Sequence, residues 1–221
     1  MRTFIAIELP SEIKAALANL QTQLKTANAD VKWVLEKNIH ITLKFIGERD
    51  EKKVNSCAEA LSKVANNHNP FTISLSNLGA FPNTTSPRVI WTGILKGESE
   101  TKKIAQELEE EICRAGIPKE SREFSSHVTL GRTRSSINLN KLSEILNLLG
   151  IKSGDSSLFG KSPFIPGLED KGFPIGGLRN AENNPVGNLE FVVNKLVLFK
   201  STLTPKGPVY EIYKEASLKT T

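Results

Sequence analysis

The sequence predicts a duplicated fold in which helices and strands surround one central site. The phrase His-Ile-Thr-Leu at 40–43 returns as His-Val-Thr-Leu at 127–130. The order helix, histidine strand, helix, strand, strand is also predicted twice, over 11–95 and over 98–216. Outside the two phrases the halves share little sequence, so the duplication is inferred from the order of the elements.

The first half opens with a strand that ends at Pro10. Ser11 then stands at the expected N-cap of a helix that runs to about Thr26, because a serine hydroxyl can accept from the free N–H groups of a first turn. The elements of this half are predicted at Thr3–Leu9 (strand), 11–26 (helix), Val31–Leu35 (extended), the His40 strand to Ile46, Glu51–Ala65 (helix), Phe71–Leu78 and Arg88–Leu95 (strands).

The second half repeats this order. Its first helix has apolar residues at helical spacing and ends at Gly116, a residue type that closes helices in the left-handed conformation. The predicted elements are Glu98–Ala115 (helix), Ser126–Thr133 (histidine strand), Leu139–Leu149 (helix), and a strand pair, Glu190–Ser201 and Pro208–Ala216. Between them, 151–188 is rich in Gly, Pro, Ser and Asn, and a loop-like surface insertion is expected there. The alternative is a flap over the site, with Lys161, Lys171 and Arg179 contacting phosphate.

Composition limits the class of protein. The 221 residues include 29 Lys plus Arg against 24 Asp plus Glu, a net charge of +5 that is compatible with a polyanionic partner such as RNA. The N-terminal apolar run is too short for a signal peptide, and no run is long enough to cross a membrane. Cys57 and Cys113 form no CxxC pair, so reduced thiols in a cytoplasmic protein are expected.

The two phrases suggest acid/base chemistry at phosphorus. Side chains alternate along a strand, so His40 shares a face with Thr42, and His127 with Thr129. An imidazole has a pKa of about 6.5, so one ring can accept a proton from the attacking oxygen while the other donates to the departing oxygen. The threonine hydroxyls could donate to the remaining phosphate oxygens. A purely structural role for both histidines is the alternative, and the repetition of the whole phrase disfavours it.

Other chemistries lack their residues. A catalytic zinc ion usually has three protein ligands, and only the two histidines are placed alike. The chain also lacks a GxSxG elbow, a P-loop and a GxGxxG turn.

In this context the phrases resemble the 2H phosphoesterase superfamily. Within it the chain is most similar to the RNA 2′,3′-cyclic phosphodiesterases of bacteria and archaea, historically called 2′-5′ RNA ligases. The resemblance covers nearly everything outside 151–188. It is carried by 1–7 (MRTFIAI), 39–47 (IHITLKFIG), 88–93 (RVIWTG), 127–132 (HVTLGR) and 200–211 (KSTLTPKGPVYE).

The resemblance implies an α+β fold with two pseudo-twofold-related lobes, each an antiparallel sheet with flanking helices, around a central cleft. It implies one bilobed domain over 1–221, with interleaved lobes, that hydrolyses a terminal 2′,3′-cyclic phosphate to a 2′-phosphate without metal or cofactor. By motif position, His40 would be the proton donor to the departing 3′ oxygen and His127 the proton acceptor. Thr42 and Thr129 would hold phosphate oxygens, and Arg132 matches an arginine that follows the second motif in many members.

The faces of the neighbouring residues depend on how regular the two strands are. Strict alternation puts Arg132 opposite His127 unless a bulge at Gly131 or the strand's end intervenes. By strict alternation Lys44 lies on the same face of the strand as His40, and it is a candidate for positive charge at the cleft. Phe4 and Phe45 could stack on a base, but core packing is expected for both.

Three functions remain open. The leading one is an RNA 2′,3′-cyclic phosphodiesterase that acts as a monomer on RNA ends, tRNA-derived ends included. The second is a 2′-5′ RNA ligase on tRNA halves, since hydrolysis and ligation use the same acid/base pair. The third is a non-catalytic RNA-binding protein on the same fold.

Overall fold

Helices and antiparallel strands alternate along the chain. The computed structural model describes residues 1–121, 124–149, 189–205 and 207–219. The expected insertion at 151–188, with Lys161, Lys171 and Arg179, lies outside these residues. The strands are β1 (Arg2–Glu8), β2 (Val31–Trp33), β3 (His40–Glu48), β4 (Phe71–Phe81), β5 (Val89–Ile94), β6 (His127–Thr133), β7 (Glu190–Val193), β8 (Lys195–Thr204) and β9 (Gly207–Ser217). The helices are α1 (Ser11–Lys25), α2 (Glu51–Ala65), α3 (Glu98–Arg114) and α4 (Leu139–Leu149), with a 3-10 turn at Glu36–Asn38.

The strands form one antiparallel sheet with two halves that meet at the histidine strands. The order is β7-β4-β5-β6-β3-β1-β8-β9, and β2 pairs with β6 at the side. Between β3 and β6 a single residue pair is in register, Ile41 with Val128. The two strands therefore separate on both sides of this pair, and the fold is the α+β arrangement with a central cleft that was expected.

Each half of the sheet takes strands from both halves of the chain. β4 and β5 follow β3 in sequence, yet β5 pairs with β6. In the same way β8 and β9 follow β6, yet β8 pairs with β1, which pairs with β3. The duplicated sequence order is therefore exchanged between the two halves of the sheet.

Two local predictions were wrong. The single strand expected at Glu190–Ser201 is two strands, β7 and β8, because the chain changes partner at Asn194 from β4 to β1. Ser11 is the first residue of α1 and not its cap. Pro10 takes the cap position, since its φ of −57° with ψ of 154° is the extended geometry of an N-cap and its carbonyl accepts the Lys14 N–H at 3.0 Å.

The helices cover one face of the sheet. All four contribute buried apolar side chains to the large core, together with Ile41 and Val128 from the central strands. On the opposite face a small separate cluster contains Phe4, Ala6, Val197 and Phe199, with Tyr210 packed against it. The site lies on this second face, where the sheet carries no helix layer in the described part of the chain.

The helices and the two cysteines bear on two expectations, that no segment crosses a membrane and that the thiols are reduced. Among the described residues, none of the helices combines the length and apolarity needed to cross a membrane. Cys57 on α2 is buried and Cys113 on α3 is half-buried, and both are free thiols.

Candidate functional site

The two histidines begin the two strands at the centre of the sheet. Ile41 and Val128 are directly opposite each other and fully buried on the helix side. Because neighbours in a strand point to opposite faces, His40, Thr42, His127 and Thr129 all project from the other face. Antiparallel register then sets His40 beside Thr129, and Thr42 beside His127. The structure thus brings together the four residues that the repeated phrase singled out.

Both imidazoles are held in the same tautomer by the same local contact. Nδ1 of His40 donates to the carbonyl of Asn38 at 2.7 Å, and Nδ1 of His127 donates to the carbonyl of Ser125 at 2.7 Å. A carbonyl only accepts, so the proton of a neutral ring stays on Nδ1 and Nε2 keeps its lone pair. In His40 that Nε2 lies 2.9 Å from Oγ1 of Thr42. Each ring can therefore take up or release a proton at Nε2.

Burial is the main influence on both rings. It lowers the pKa of His40 and of His127 from the ordinary value, and the bonds to the backbone carbonyls partly oppose it. The charges of Lys14 and His127 lower the pKa of His40 further, and Arg132 lowers that of His127. The two histidines are thus close enough for the charge on one to affect the other. An anionic phosphate between them would raise both pKa values.

A bulge in β6 turns Arg132 toward the site. Trp91 of β5 is opposite Thr129, but Ile90 is opposite Gly131, so Leu130 is the extra residue. Val89 and Trp91 share a face of β5, and their partners Arg132 and Thr129 therefore share a face of β6. The bulge lies one residue earlier than Gly131, where it was considered, and it places the exposed Arg132 on the histidine face.

A matching bulge in β3 overturns two expectations. Ile5 and Ala6 of β1 are opposite Lys44 and Thr42, which makes Leu43 the extra residue. Lys44 therefore points away from the cleft to the helix side, where it is 2% exposed and lies 2.8 Å from Glu109. Phe45 takes the histidine face opposite Phe4 and is 56% exposed, so core packing was wrong for Phe45. It was right for Phe4, which is 4% exposed.

Aromatic side chains from distant strands flank each histidine, and most of them were not identified from the sequence. The ring centroid of His40 lies 4.8 Å from that of Phe4 and 5.6 Å from that of Tyr210, which meets it edge-on. Phe81 meets His127 edge-on at 5.4 Å and stacks on Trp91 at 5.0 Å. These contacts join strands far apart in the chain, so no local pattern indicates them.

One glycine makes room for the aromatic group beside His127. A Cβ on Gly79 would lie 2.4 Å from the Trp91 ring, so this position of β4 has to be glycine for the ring to lie flat across the sheet. Gly79 lies one residue beyond the strand predicted at Phe71–Leu78, so the sequence pattern did not single it out.

The phenol of Tyr210 is affected by charges from two other strands. Burial raises the pKa of the Tyr210 phenol, while the charges of Arg2 and Arg132 lower it. Arg132 on β6 is therefore near enough to Tyr210 on β9 for its charge to favour the ionised phenol. In the described ranges no three side chains of the metal-binding types are grouped.

Comparison with known proteins shows the family of the chain. A family model described as LigT-like phosphoesterase matches residues 7–91. An RNA 2′,3′-cyclic phosphodiesterase of Methanocaldococcus jannaschii is 32% identical over 97% of this chain and 99% of its own length. Another protein of that name, from Aeropyrum pernix, is 37% identical over 90% of this chain and 93% of its own length.

Solved structures agree with the fold. TT0787 of Thermus thermophilus superposes with a TM-score of 0.68 at 26% identity, covering 99% of this chain and 98% of that one. LigT of E. coli in its apo form has a TM-score of 0.64 at 23% identity over the same fractions, a likeness of fold. With nearly full-length relatives above 30% identity, this chain belongs to the RNA 2′,3′-cyclic phosphodiesterase family of the LigT-like (2H) phosphoesterases.

Proposed function

We propose that the protein hydrolyses a terminal 2′,3′-cyclic phosphate of RNA to a 2′-phosphomonoester by two-histidine acid/base catalysis. The observation that carries the proposal is the pair of imidazoles, from β3 and β6, with the same tautomer and with Nε2 able to exchange a proton on one face of the sheet. The names of the full-length relatives support RNA as the substrate.

In the proposed reaction the two rings begin in opposite protonation states. His127 is neutral and its Nε2 accepts a proton from water, whose oxygen forms the new bond to phosphorus. His40 is protonated and its Nε2 gives a proton to the 3′ oxygen as the P–O3′ bond breaks. The products are a 3′ hydroxyl and a 2′-phosphate. The assignment of donor and acceptor follows the family resemblance, because both rings have the same tautomer and can exchange a proton at Nε2.

The remaining groups would stabilise charge on the phosphate. Hydroxyls of Thr42 and Thr129 can donate to the non-bridging oxygens, where charge concentrates in the transition state. The guanidinium of Arg132 would add two parallel donors and a full positive charge. A bound phosphate would also raise the lowered pKa of His40, so the donor would become protonated on substrate binding.

The proposed catalyst is complete in one chain and needs no metal. Both histidines and both threonines come from the same sheet, which favours a monomer and one working unit over 1–221. RNA ends, including those of cleaved tRNA, are the proposed substrates. Activity is therefore expected to survive EDTA, and loss of activity in the chelator that returns with added metal would contradict this part of the proposal.

The direct test uses an oligonucleotide that ends in a 2′,3′-cyclic phosphate. The wild-type protein should give only the 2′-phosphate, and His40→Ala or His127→Ala should each lower kcat by at least about 10²-fold through loss of one proton transfer. His68→Ala is the matched control, since His68 lies away from the cleft, 3.1 Å from Glu107. Joined strands in place of monophosphate would indicate the 2′-5′ ligase. Unchanged function in both site variants would indicate a non-catalytic RNA-binding protein.

A further inference from the structure

We propose that the RNA chain on the 5′ side of the cyclic phosphate leaves the site past His40 and lies in a groove beside the start of α1, where Lys14 and Lys37 contact its phosphates. The inference rests on the proposed function and on His40 as the donor to the departing 3′ oxygen. It assigns a surface of the protein to the nucleotides that precede the reacting one.

The direction of the chain follows from the connectivity of ribose. The departing oxygen is bonded to C3′, and C3′ is bonded to C4′, which carries C5′ and the next phosphate. The 5′ chain therefore begins on the side of phosphorus where the departing oxygen lies. In the proposed reaction this is the side of His40, while the attacking water lies on the side of His127.

Two connected cavities lie on this side. A pocket of about 200 Å³ is lined by His40, Asn38, Tyr210 and Phe199, among others. A larger groove of about 990 Å³ lies at the start of α1, between the 3-10 turn and the β7–β8 junction at Asn194. Glu8, Lys14 and Lys37 line both cavities, so the small pocket opens into the groove. The groove is at the top of the roughly 300–1,000 Å³ range of small-molecule sites.

The charges along the groove favour an anion. Lys14, Lys37 and Lys195 line it, against the carboxylates of Glu8 and Glu36. Lys14 lies 3.1 Å and Lys195 3.9 Å from Glu8, and Lys195 also lies 2.5 Å from Glu215, so these two lysines are already paired with carboxylates. Lys37 is exposed at the point where pocket and groove join. Lysines at these positions could follow the phosphates of a strand that leaves the site.

Apolar side chains provide surface for sugars and bases. Leu35 and Val192 line the groove and are 50% and 61% exposed. Val209 and Ile212 line the smaller pocket and are also exposed. Contacts of this kind are insensitive to base identity. The groove should therefore favour longer RNA without selecting its sequence.

The test compares a nucleoside 2′,3′-cyclic monophosphate with a pentanucleotide that ends in the same group. The wild-type protein should have the higher kcat/KM for the pentanucleotide, with a steeper salt dependence. Lys37→Gln should lower kcat/KM for the pentanucleotide by up to about fivefold more than for the mononucleotide, as for an exposed ion pair. It should also reduce the salt slope for the pentanucleotide by about 0.7, the value for one phosphate on a single strand.

The control is Lys52→Gln, an exposed lysine on α2 in the helix layer behind the sheet. It should leave both substrates and both salt slopes as in the wild type. Equal kcat/KM for the two wild-type substrates, or equal effects of Lys37→Gln on both, would overturn the groove while leaving the proposed function intact. Failure of the wild-type protein to hydrolyse either substrate would instead overturn the proposed function.

Discussion

The two histidines differ in how their supporting carbonyls are anchored. The carbonyl that accepts from His40 belongs to Asn38, which is 5% exposed and whose side-chain amide donates to the carbonyl of Pro208 at 2.8 Å. The carbonyl that accepts from His127 belongs to the exposed Ser125. The orientation of His40 is therefore tied to β9 of its own half of the sheet. This makes Asn38 a positioning residue for His40.

Asn38→Ala should lower kcat by about 10-fold, because it removes the amide donor from the half-buried carbonyl of Pro208 and frees the backbone that orients His40. The limb of the kcat/KM pH profile that reports His40 should shift, while KM changes little. Ser125→Ala is the control, since it keeps the backbone carbonyl that His127 uses. A variant that loses thermal stability but keeps the wild-type pH limb would show that Asn38 has only a structural role.

The lowered pKa values of the histidines predict how stability depends on pH. Burial lowers the pKa of His40 and of His127 in the folded protein. In the unfolded chain both side chains have a pKa of about 6.5. The unfolded chain therefore binds more protons between the lowered values and 6.5. The contribution of these groups to the free energy of unfolding should be constant above that range and fall as pH drops through it.

Thermal unfolding of the wild type and of a His40→Gln, His127→Gln double variant at pH 7.5 and pH 5 measures this effect. The double variant should lose less stability between the two pH values than the wild type does. Equal losses in the two proteins would mean that the histidines do not favour the neutral form in the folded state.

At the level of residues, the sequence predicted the four His and Thr positions because a repeated alternating phrase fixes them. Lys44 and Phe45 were misplaced for one reason. Alternation reverses at a bulge, and the bulge at Leu43 depends on pairing with β1, which a local pattern does not reveal. The face of Arg132 was left conditional for the same reason, and the bulge at Leu130 decides it.

At the level of elements, one buried amide supports the bulge in β6. Gln21 of α1 is 2% exposed, and its Nε2 donates to the carbonyl of Leu130 at 2.8 Å and to that of Val34 at 2.9 Å. Leu130 is the extra residue that turns Arg132 toward the cleft. A helix on one face of the sheet therefore helps to set which residues of β6 appear on the other.

Gln21→Leu should reduce the free energy of unfolding by about 1–3 kcal/mol, since it removes an amide that bonds two carbonyls and buries no other donor in its place. Urea denaturation measures the change, and Gln23→Leu, a half-exposed position on the same helix, should have a smaller effect. If the bulge relaxes, Arg132→Ala should cost less activity in the Gln21→Leu background than in the wild type. Additive effects of the two substitutions would separate Gln21 from Arg132.

Helices and most strands could be predicted because each has its own period and end signals. The split between β7 and β8 could not, because both segments are apolar and extended and differ only in their partners. Pairing across long sequence separation is a property of the whole chain and leaves no local mark at Asn194.

For the whole molecule, the exchange of strands predicts that the two sequence halves do not fold alone. A fragment 1–96 keeps β5 and β3 but lacks β6, which pairs with both, and it lacks β8, the partner of β1. We expect neither 1–96 nor 97–221 to unfold cooperatively by circular dichroism, and we expect co-expression to restore a folded complex. Cooperative unfolding of an isolated fragment would contradict the single working unit.

The family and the α+β fold with its central cleft were confirmed, since the resemblance covers nearly the whole chain and the solved structures share the fold. The roles of the individual residues stay predictions, because the tautomer that the two rings share does not distinguish donor from acceptor. The order of strands in the sheet could not be derived from the repeat alone, and the interleaving of the lobes was expected only from the family resemblance.

β3 and β6 are paired only at Ile41 and Val128, and this affects how the site can vary among related proteins. Sheet pairing fixes the distance between neighbouring strands, so the backbone of this one pair sets how far His40 lies from His127. Replacing Ile41 or Val128 by another aliphatic residue would change the packing against the helices and leave that distance and the polar groups as they are. The helix side of the central strands can therefore vary among relatives while the spacing of the two imidazoles is kept.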